Sequence, residues 1–209
     1  MSLRLAASAL AGAALLLACG PRVPEPARGE LKDGAYRNEF FRFGLAIPGG
    51  WTAQKPSVGS LGGFTKNYLK VTAAGGAPEG TPLERRMHGL LTLSTVASGL
   101  LGADDAMISV SAAEMGTRSI REVEDLLHPI KAVLAAMNPR AAPKTKTRLT
   151  GLGGATCAVL ETKLRLKEGE LHYRIYATAR SGHMIALEAV ARSPEGLARA
   201  ETVLRSVKF

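Results

Sequence analysis

Leu160-Glu-Thr-Lys-Leu-Arg-Leu-Lys-Glu-Gly-Glu-Leu-His-Tyr-Arg-Ile-Tyr-Ala177 is the stretch that decides the fold. Its apolar residues recur at every second position, the period of a strand and not of a helix. Glu168-Gly169 is a turn signal in its middle. Folding the chain at that dipeptide sets Leu166 opposite Leu171, Leu164 opposite Tyr173, Thr162 opposite Ile175 and Leu160 opposite Ala177. The apolar faces coincide, so an antiparallel hairpin is expected. The next turn, Ser181-Gly182-His183, leads into a strand from Met184 to Ala191. A three-residue loop there would put Ile185, Leu187 and Ala189 on the same face, opposite Ala179, Ala177 and Ile175. A two-residue loop would bring Glu188 there instead. Burying an unpaired carboxylate is costly, so the three-residue loop is expected.

Working outward, Ser193 and Pro194 cap and start a helix whose Leu197, Ala200, Val203, Leu204 and Val207 share one face. Upstream, Gly151-Leu152-Gly153-Gly154 resembles part of a dinucleotide fingerprint. It lacks the last glycine and precedes a strand instead of a helix, so it reads as a tight turn. Ser119-Ile120-Arg121-Glu122 has capping-box spacing and opens a helix with Ile120, Val123, Leu127, Ile130, Leu134 and Met137 on one stripe, widened by Leu126 and Val133. Pro129 should kink it near Leu126 to His128, and Pro139 and Pro143 end it. Lys144 to Arg148 is a solvated basic strip. Met107 to Met115 reads as a strand carrying Ile108 and Val110. Leu90 to Val96 alternates like another, while Thr81-Pro82-Leu83-Glu84 carries a helix-start pattern, and the boundary between the two is not fixed by the residues. Thr52 to Gly80 is glycine-rich and reads as a long loop, the first place to look for a binding site.

Tyr36 to Trp51 looks like a second hairpin, with Phe41, Phe43, Leu45 and Ile47 alternating and Pro48-Gly49-Gly50 stopping the strand. Here the chain resembles the Mog1/PsbP/DcrB-like family, through Tyr36, Asn38, Phe43, Gly44, Pro48 and Trp51. The closing hairpin, the Ser-Pro helix and the Ser206-Val207-Lys208-Phe209 end resemble it too. The resemblance implies an α+β fold, a mainly antiparallel β-sheet packed against α-helices in an α/β sandwich, as one domain over residues 36–209. Many members are bacterial lipoproteins. The matching aromatics are packing residues, so the motif speaks to fold and is almost silent on function.

At the other end, Arg4 precedes a charge-free run from Leu5 to Leu17, a length that suits a signal peptide and is too short to cross a ~30 Å bilayer core as a helix. Leu16-Leu17-Ala18-Cys19-Gly20 resembles the bacterial lipobox. That resemblance implies removal of residues 1–18, diacylglycerol on the Cys19 thiol and acylation of the new amino terminus. Residues 19–35, with Pro21, Pro24, Pro26 and Gly29, read as an extended tether, fifteen residues of which would span ~45 Å in polyproline geometry.

The formal charge is +9, and the segment before Cys19 contributes only Arg4 to it. Such a surplus suits an anionic membrane or an acidic partner. The basic residues are dispersed among few aromatics, so no nucleic-acid partner is expected. Cys157 lies in a strand pattern and reads as a small buried apolar residue. The sequence carries no nucleophile elbow, His-Glu-x-x-His, P-loop or cysteine-rich zinc motif. His88, His128, His172 and His183 are scattered, Glu124 and His128 make at most a surface pair, and Asp104-Asp105 reads as a loop. No catalytic residue, cofactor or metal ligand is expected. The expectation is a non-catalytic lipoprotein of the bacterial cell envelope, held to the lipid bilayer through acylated Cys19. It would face the periplasm or exterior and bind an unknown protein or envelope partner. The alternative is a small-ligand or lipid-binding carrier with a pocket under the Thr52 to Gly80 loop.

Overall fold

The computed structural model describes residues 25–26, 28–55, 87–96, 101–115, 122–137, 145–166 and 169–209. In chain order these form β1 (Gly29–Lys32), β2 (Ala35–Asn38), β3 (Phe43–Ala46), β4 (Thr52–Gln54), β5 (Met87–Ser94), β6 (Ala106–Glu114), a 3-10 turn (Val123–Leu126), α1 (Leu127–Met137), β7 (Lys146–Leu152), β8 (Ala155–Leu166), β9 (Gly169–Arg180), β10 (His183–Ala191) and α2 (Pro194–Leu204). Strands β1 to β3 make a small sheet, and the other seven make a large one in the order β4-β5-β6-β10-β9-β8-β7. Every pairing is antiparallel. The α+β, sheet-dominated fold read from the sequence is the one observed.

The hairpin that decides the fold is present, with its register moved by two. Leu166 pairs with Gly169, Leu164 with Leu171, Thr162 with Tyr173 and Leu160 with Ile175. A slip of two keeps every side chain on its face, so alternation cannot distinguish the two registers. The two-residue connection moves back by one position, to residues 167 and 168, which lie outside the described residues.

The β9–β10 turn is the reverse of the expectation. Only Ser181 and Gly182 lie in it, with φ of 48° and 74°, the paired positive φ of a type I′ hairpin. His183 is therefore a strand residue opposite Arg180, and Glu188 pairs with Ile175. All nine residues of β10 are buried, on both faces. With apolar residues on either side, burial gave the strand no preference, and the Ser-Gly turn set the register.

The helices show the same interplay of pattern and local chemistry. Ser193 caps α2, its Oγ accepting from the Gly196 backbone N–H at 3.0 Å, and Leu197, Ala200, Val203, Leu204 and Val207 are buried as expected. Ser193→Ala should cost about 1 kcal/mol, measurable as a lower urea midpoint with an unchanged slope. The earlier helix starts later than its pattern suggests. Glu122, not Ser119, is the N-cap, and its backbone N–H donates to the Asp125 carboxylate at 3.3 Å; Ser119 to Arg121 lie outside the described residues. The α-helical stretch begins at Leu127, directly after the 3-10 turn, so Pro129 sits in its first turn and the change from 3-10 to α geometry falls at Leu126–Leu127.

Two cores flank the large sheet. One gathers Tyr36, Phe43 and Leu45 of the small sheet and Phe41 of its β2–β3 connection with Leu93, Ile108, Val159, Leu187 and the buried face of α2. The other packs Leu126, Leu127, Ile130 and Leu134 against Leu160, Leu164, Ile175 and Ala177. Each fully buried aliphatic contributes roughly 1.5–3 kcal/mol of transfer free energy, so both faces are held by many modest terms. The Tyr36 to Trp51 hairpin is present as β2 and β3. Ahead of it, β1 pairs with β2 through the Asp33-Gly34 turn, and Asn38 Nδ2 donates to the Pro26 carbonyl at 2.8 Å. The folded domain thus includes residues before Tyr36, which corrects the tether reading for Gly29 to Ala35. The span left between Cys19 and β1 is about nine residues, ~28 Å if extended. Lys146 and Arg148 lie on β7, an exposed edge strand, where charges discourage further strand addition. No helix among the described residues is long and apolar enough to cross a membrane.

Candidate functional site

Three titratable side chains meet at one end of the large sheet. His183 is the first residue of β10 and lies opposite Glu114, the last of β6. His88, on β5, lies opposite Ala112, two residues before Glu114. Side chains two apart on a strand, and directly opposite across a pair, share a face. All three therefore project from the face that also carries the small sheet. One ligand atom from each lies within 4.8 Å of the others.

The surroundings fix the rings. His183 is 93% removed from solvent, with a relative exposure of 7%. The rings of Phe40 and Phe41 meet it edge-on at centroid distances of 5.6 and 5.2 Å, and both come from the connection between β2 and β3. The Ser181 hydroxyl donates to the Phe40 carbonyl at 3.3 Å, tying that connection to the type I′ turn. His183 Nδ1 lies 2.8 Å from the Ser181 carbonyl oxygen. A carbonyl only accepts, so Nδ1 carries a proton, which in the neutral ring leaves the lone pair on Nε2. His88 stacks at 5.8 Å with a 45° tilt. The Nε2 atoms of both histidines are buried and have no hydrogen-bond partner among the described residues. Burial holds the His88 imidazole below its ordinary range and the neighbouring His183 adds to this, while Glu114 opposes it. The arrangement offers two imidazole nitrogens and one exposed carboxylate to a single point, with the carboxylate on the solvent side.

Sequence reasoning did not assemble this site. The histidines are 95 positions apart in the chain, and treating His183 as a loop residue removed it from the face it occupies. The signal that would have found it is the Ser-Gly dipeptide itself, which favours a two-residue turn. The sequence-predicted site residue, Cys19, lies outside the described residues, as does nearly all of the Thr52 to Gly80 stretch beyond β4. Cys157 is fully buried, and burial pushes its thiol up to about 11, only partly offset by Thr178. It fits the inert packing role expected of it. His128 meets Asp125 at 3.9 Å, one position away from the expected Glu124. Asp105 organises its loop, accepting from Thr95 Oγ1 at 2.9 Å and from the Gly102 N–H at 2.8 Å.

One further titratable group is buried on the opposite face. Glu188 lies between Ile175 of β9 and Ser109 of β6, and desolvation pushes its carboxyl up to about 8. Tyr173, whose backbone pairs with Val190, is pushed up to about 12, first by burial and then by Glu188.

No family profile matches the chain, and no curated protein sequence matches it. Solved structures do. The solution structure of cyanobacterial PsbP (CyanoP) from Synechocystis sp. PCC 6803 aligns with a TM-score of 0.51 at 11% identity, over 91% of this chain and 97% of that one. LpqN of Mycobacterium tuberculosis, described as involved in cell envelope biogenesis, aligns with a TM-score of 0.42 at 12% identity, over 79% and 82%. The first likeness, spanning both chains almost entirely, establishes a PsbP-like fold, as the Tyr36 to Trp51 motif and the C-terminal pattern imply.

Proposed function

We propose that this chain is a lipid-anchored protein of the bacterial envelope whose PsbP-like domain acts by binding a protein or envelope component close to the membrane, without catalysis. The observation that carries this reading is Leu16-Leu17-Ala18-Cys19-Gly20 at the end of the charge-free run from Leu5 to Leu17. A thiol beside a small residue at that point is what a diacylglyceryl transferase and its peptidase require, and two or more acyl chains anchor stably where one does not. The short span from Cys19 to β1 would keep the domain near the headgroups. There the surplus of Lys and Arg gains roughly 1 kcal/mol per residue beside an anionic bilayer.

Detergent phase partition with crosslinking in intact cells tests both halves together. The wild-type protein is expected in the detergent phase with one reproducible crosslinked adduct. Cys19→Ser is expected in the aqueous phase with that adduct lost. Unchanged detergent partitioning would refute acylation at Cys19, and the absence of any adduct from the anchored protein would refute binding near the membrane.

A further inference from the structure

The face of the sheet that carries His88, Glu114 and His183 has a feature the binding reading does not use. Buried polar atoms in folded proteins nearly always have a partner, and each exception calls for a cause. Here two such exceptions, both imidazole Nε2 atoms, sit together in one site. Packing alone does not account for them. An imidazole buried only for its bulk loses nothing by turning its free nitrogen to water, whereas His183 is held by two phenylalanine rings and a carbonyl with that nitrogen facing inward.

We propose that His88 Nε2, His183 Nε2 and the Glu114 carboxylate bind one divalent transition-metal ion, zinc by donor chemistry. Two neutral imidazoles and a carboxylate are the donors zinc takes in open sites, and hard cations such as calcium and magnesium favour all-oxygen cages. The hydrogen bond from His183 Nδ1–H to the Ser181 carbonyl is the outer-shell contact that ligating histidines make, and it orients the lone pair of Nε2. The three residues come from the adjacent strands β5, β6 and β10, so two of the donors are positioned by the sheet before any ion arrives. Tetrahedral bonds of about 2.0–2.1 Å set donors about 3.3 Å apart. The present separations, within 4.8 Å, must contract to that value when an ion binds, and Glu114, at an exposed position, has room to move toward it. Three protein donors leave a fourth position open on the Glu114 side, for water or for a donor from a bound partner.

The test uses full-length, untagged protein in detergent, stripped with chelator and dialysed against zinc chloride, with bound metal counted by mass spectrometry. One zinc per chain is expected, with a melting temperature that rises with zinc concentration. Cobalt chloride in its place should give the visible absorption of a low-symmetry four-coordinate ion. His88→Gln, a half-buried position, is expected to weaken zinc binding tenfold or more while leaving the zinc-free melting temperature within a few degrees. Glu114→Gln, at an exposed position, checks the third donor by the same readout and should show a clear loss. Failure of the wild-type chain to retain zinc would overturn the proposal. So would zinc held with less than tenfold loss in His88→Gln, since the ion would then reside elsewhere.

Discussion

Glu188→Gln is expected to flatten the pH dependence of stability between pH 4.5 and 8 and to make the domain more stable than wild type above pH 8. The carboxyl ionises near 4.5 in the unfolded chain and near 8 in the fold, because burial on β10 disfavours the charged form. In that window the folded state holds a proton that the unfolded state has released, so wild-type stability falls as pH rises. The slope approaches 1.4 kcal/mol per pH unit and the total is on the order of 5 kcal/mol. The contribution of the neutral form is complete below pH 4.5 and gone once pH has passed 8. Against a total stability of roughly 5–15 kcal/mol for a domain, this one group would decide whether the chain survives mild alkali. Gln keeps the shape without the titration, so the difference between the two urea-midpoint profiles isolates Glu188. Parallel profiles would show that the carboxyl is not desolvated as the fold implies.

The same residue marks the limit of what the sequence could show. Alternation placed the β8–β9 and β9–β10 hairpins in the chain and put the Leu and Ile positions of β8 and β9 on one face, but it put Ile185, Leu187 and Ala189 of β10 on that face when they lie on the other. It could not choose between registers two apart, because those keep the face. Nor could it choose between registers one apart on β10, because that strand is apolar on both sides. A two-residue loop buries Glu188, and the carboxyl avoids the cost of a buried charge by the cheaper route of folding in protonated. At neutral pH that route costs about 3 kcal/mol, within what the buried aliphatics of one strand repay. The choice of turn then had a second consequence. Adding His183 to the loop both spared Glu188 and hid the histidine cluster, so one register decides what lies on each face of β10. The caps and stripes of α2 were legible because they are local. The cluster of His88, Glu114 and His183 was not, because it exists only once three strands distant in sequence are aligned.

The largest effect of a single methyl group is expected at Gly153. Gly153 and Gly154 form the β7–β8 turn with φ of 59° and 86°, the positive pair that a tight type I′ connection needs and that the run Gly151-Leu152-Gly153-Gly154 suggests. The two glycines differ in what surrounds them. A Cβ on Gly154 would meet nothing within 4 Å, whereas one on Gly153 would lie 2.6 Å from the Val207 carbonyl oxygen and 3.1 Å from Lys208 Cα. Those are backbone atoms of the C-terminal segment, which cannot swing aside cheaply. The Phe209 N–H donates to the Gly153 carbonyl at 3.0 Å, and Lys208 and Gly44 exchange two hydrogen bonds of 2.9 Å. The Phe209 ring packs on Phe43 at 5.4 Å, beneath the guanidinium of Arg180 at the same distance. The segment Val207–Phe209 is therefore the clasp between the small sheet and the large one. Gly154→Ala should cost only the left-handed backbone penalty, about 1–2 kcal/mol. Gly153→Ala bears that penalty and must also displace the clasp, so a loss of about 3–5 kcal/mol is expected. Hydrogen exchange separates the two causes: amide protection at Gly44, Lys208 and Phe209 should fall in Gly153→Ala and persist in Gly154→Ala. Equal destabilisation and equal protection in the two variants would mean that the C-terminal segment does not bear on the turn.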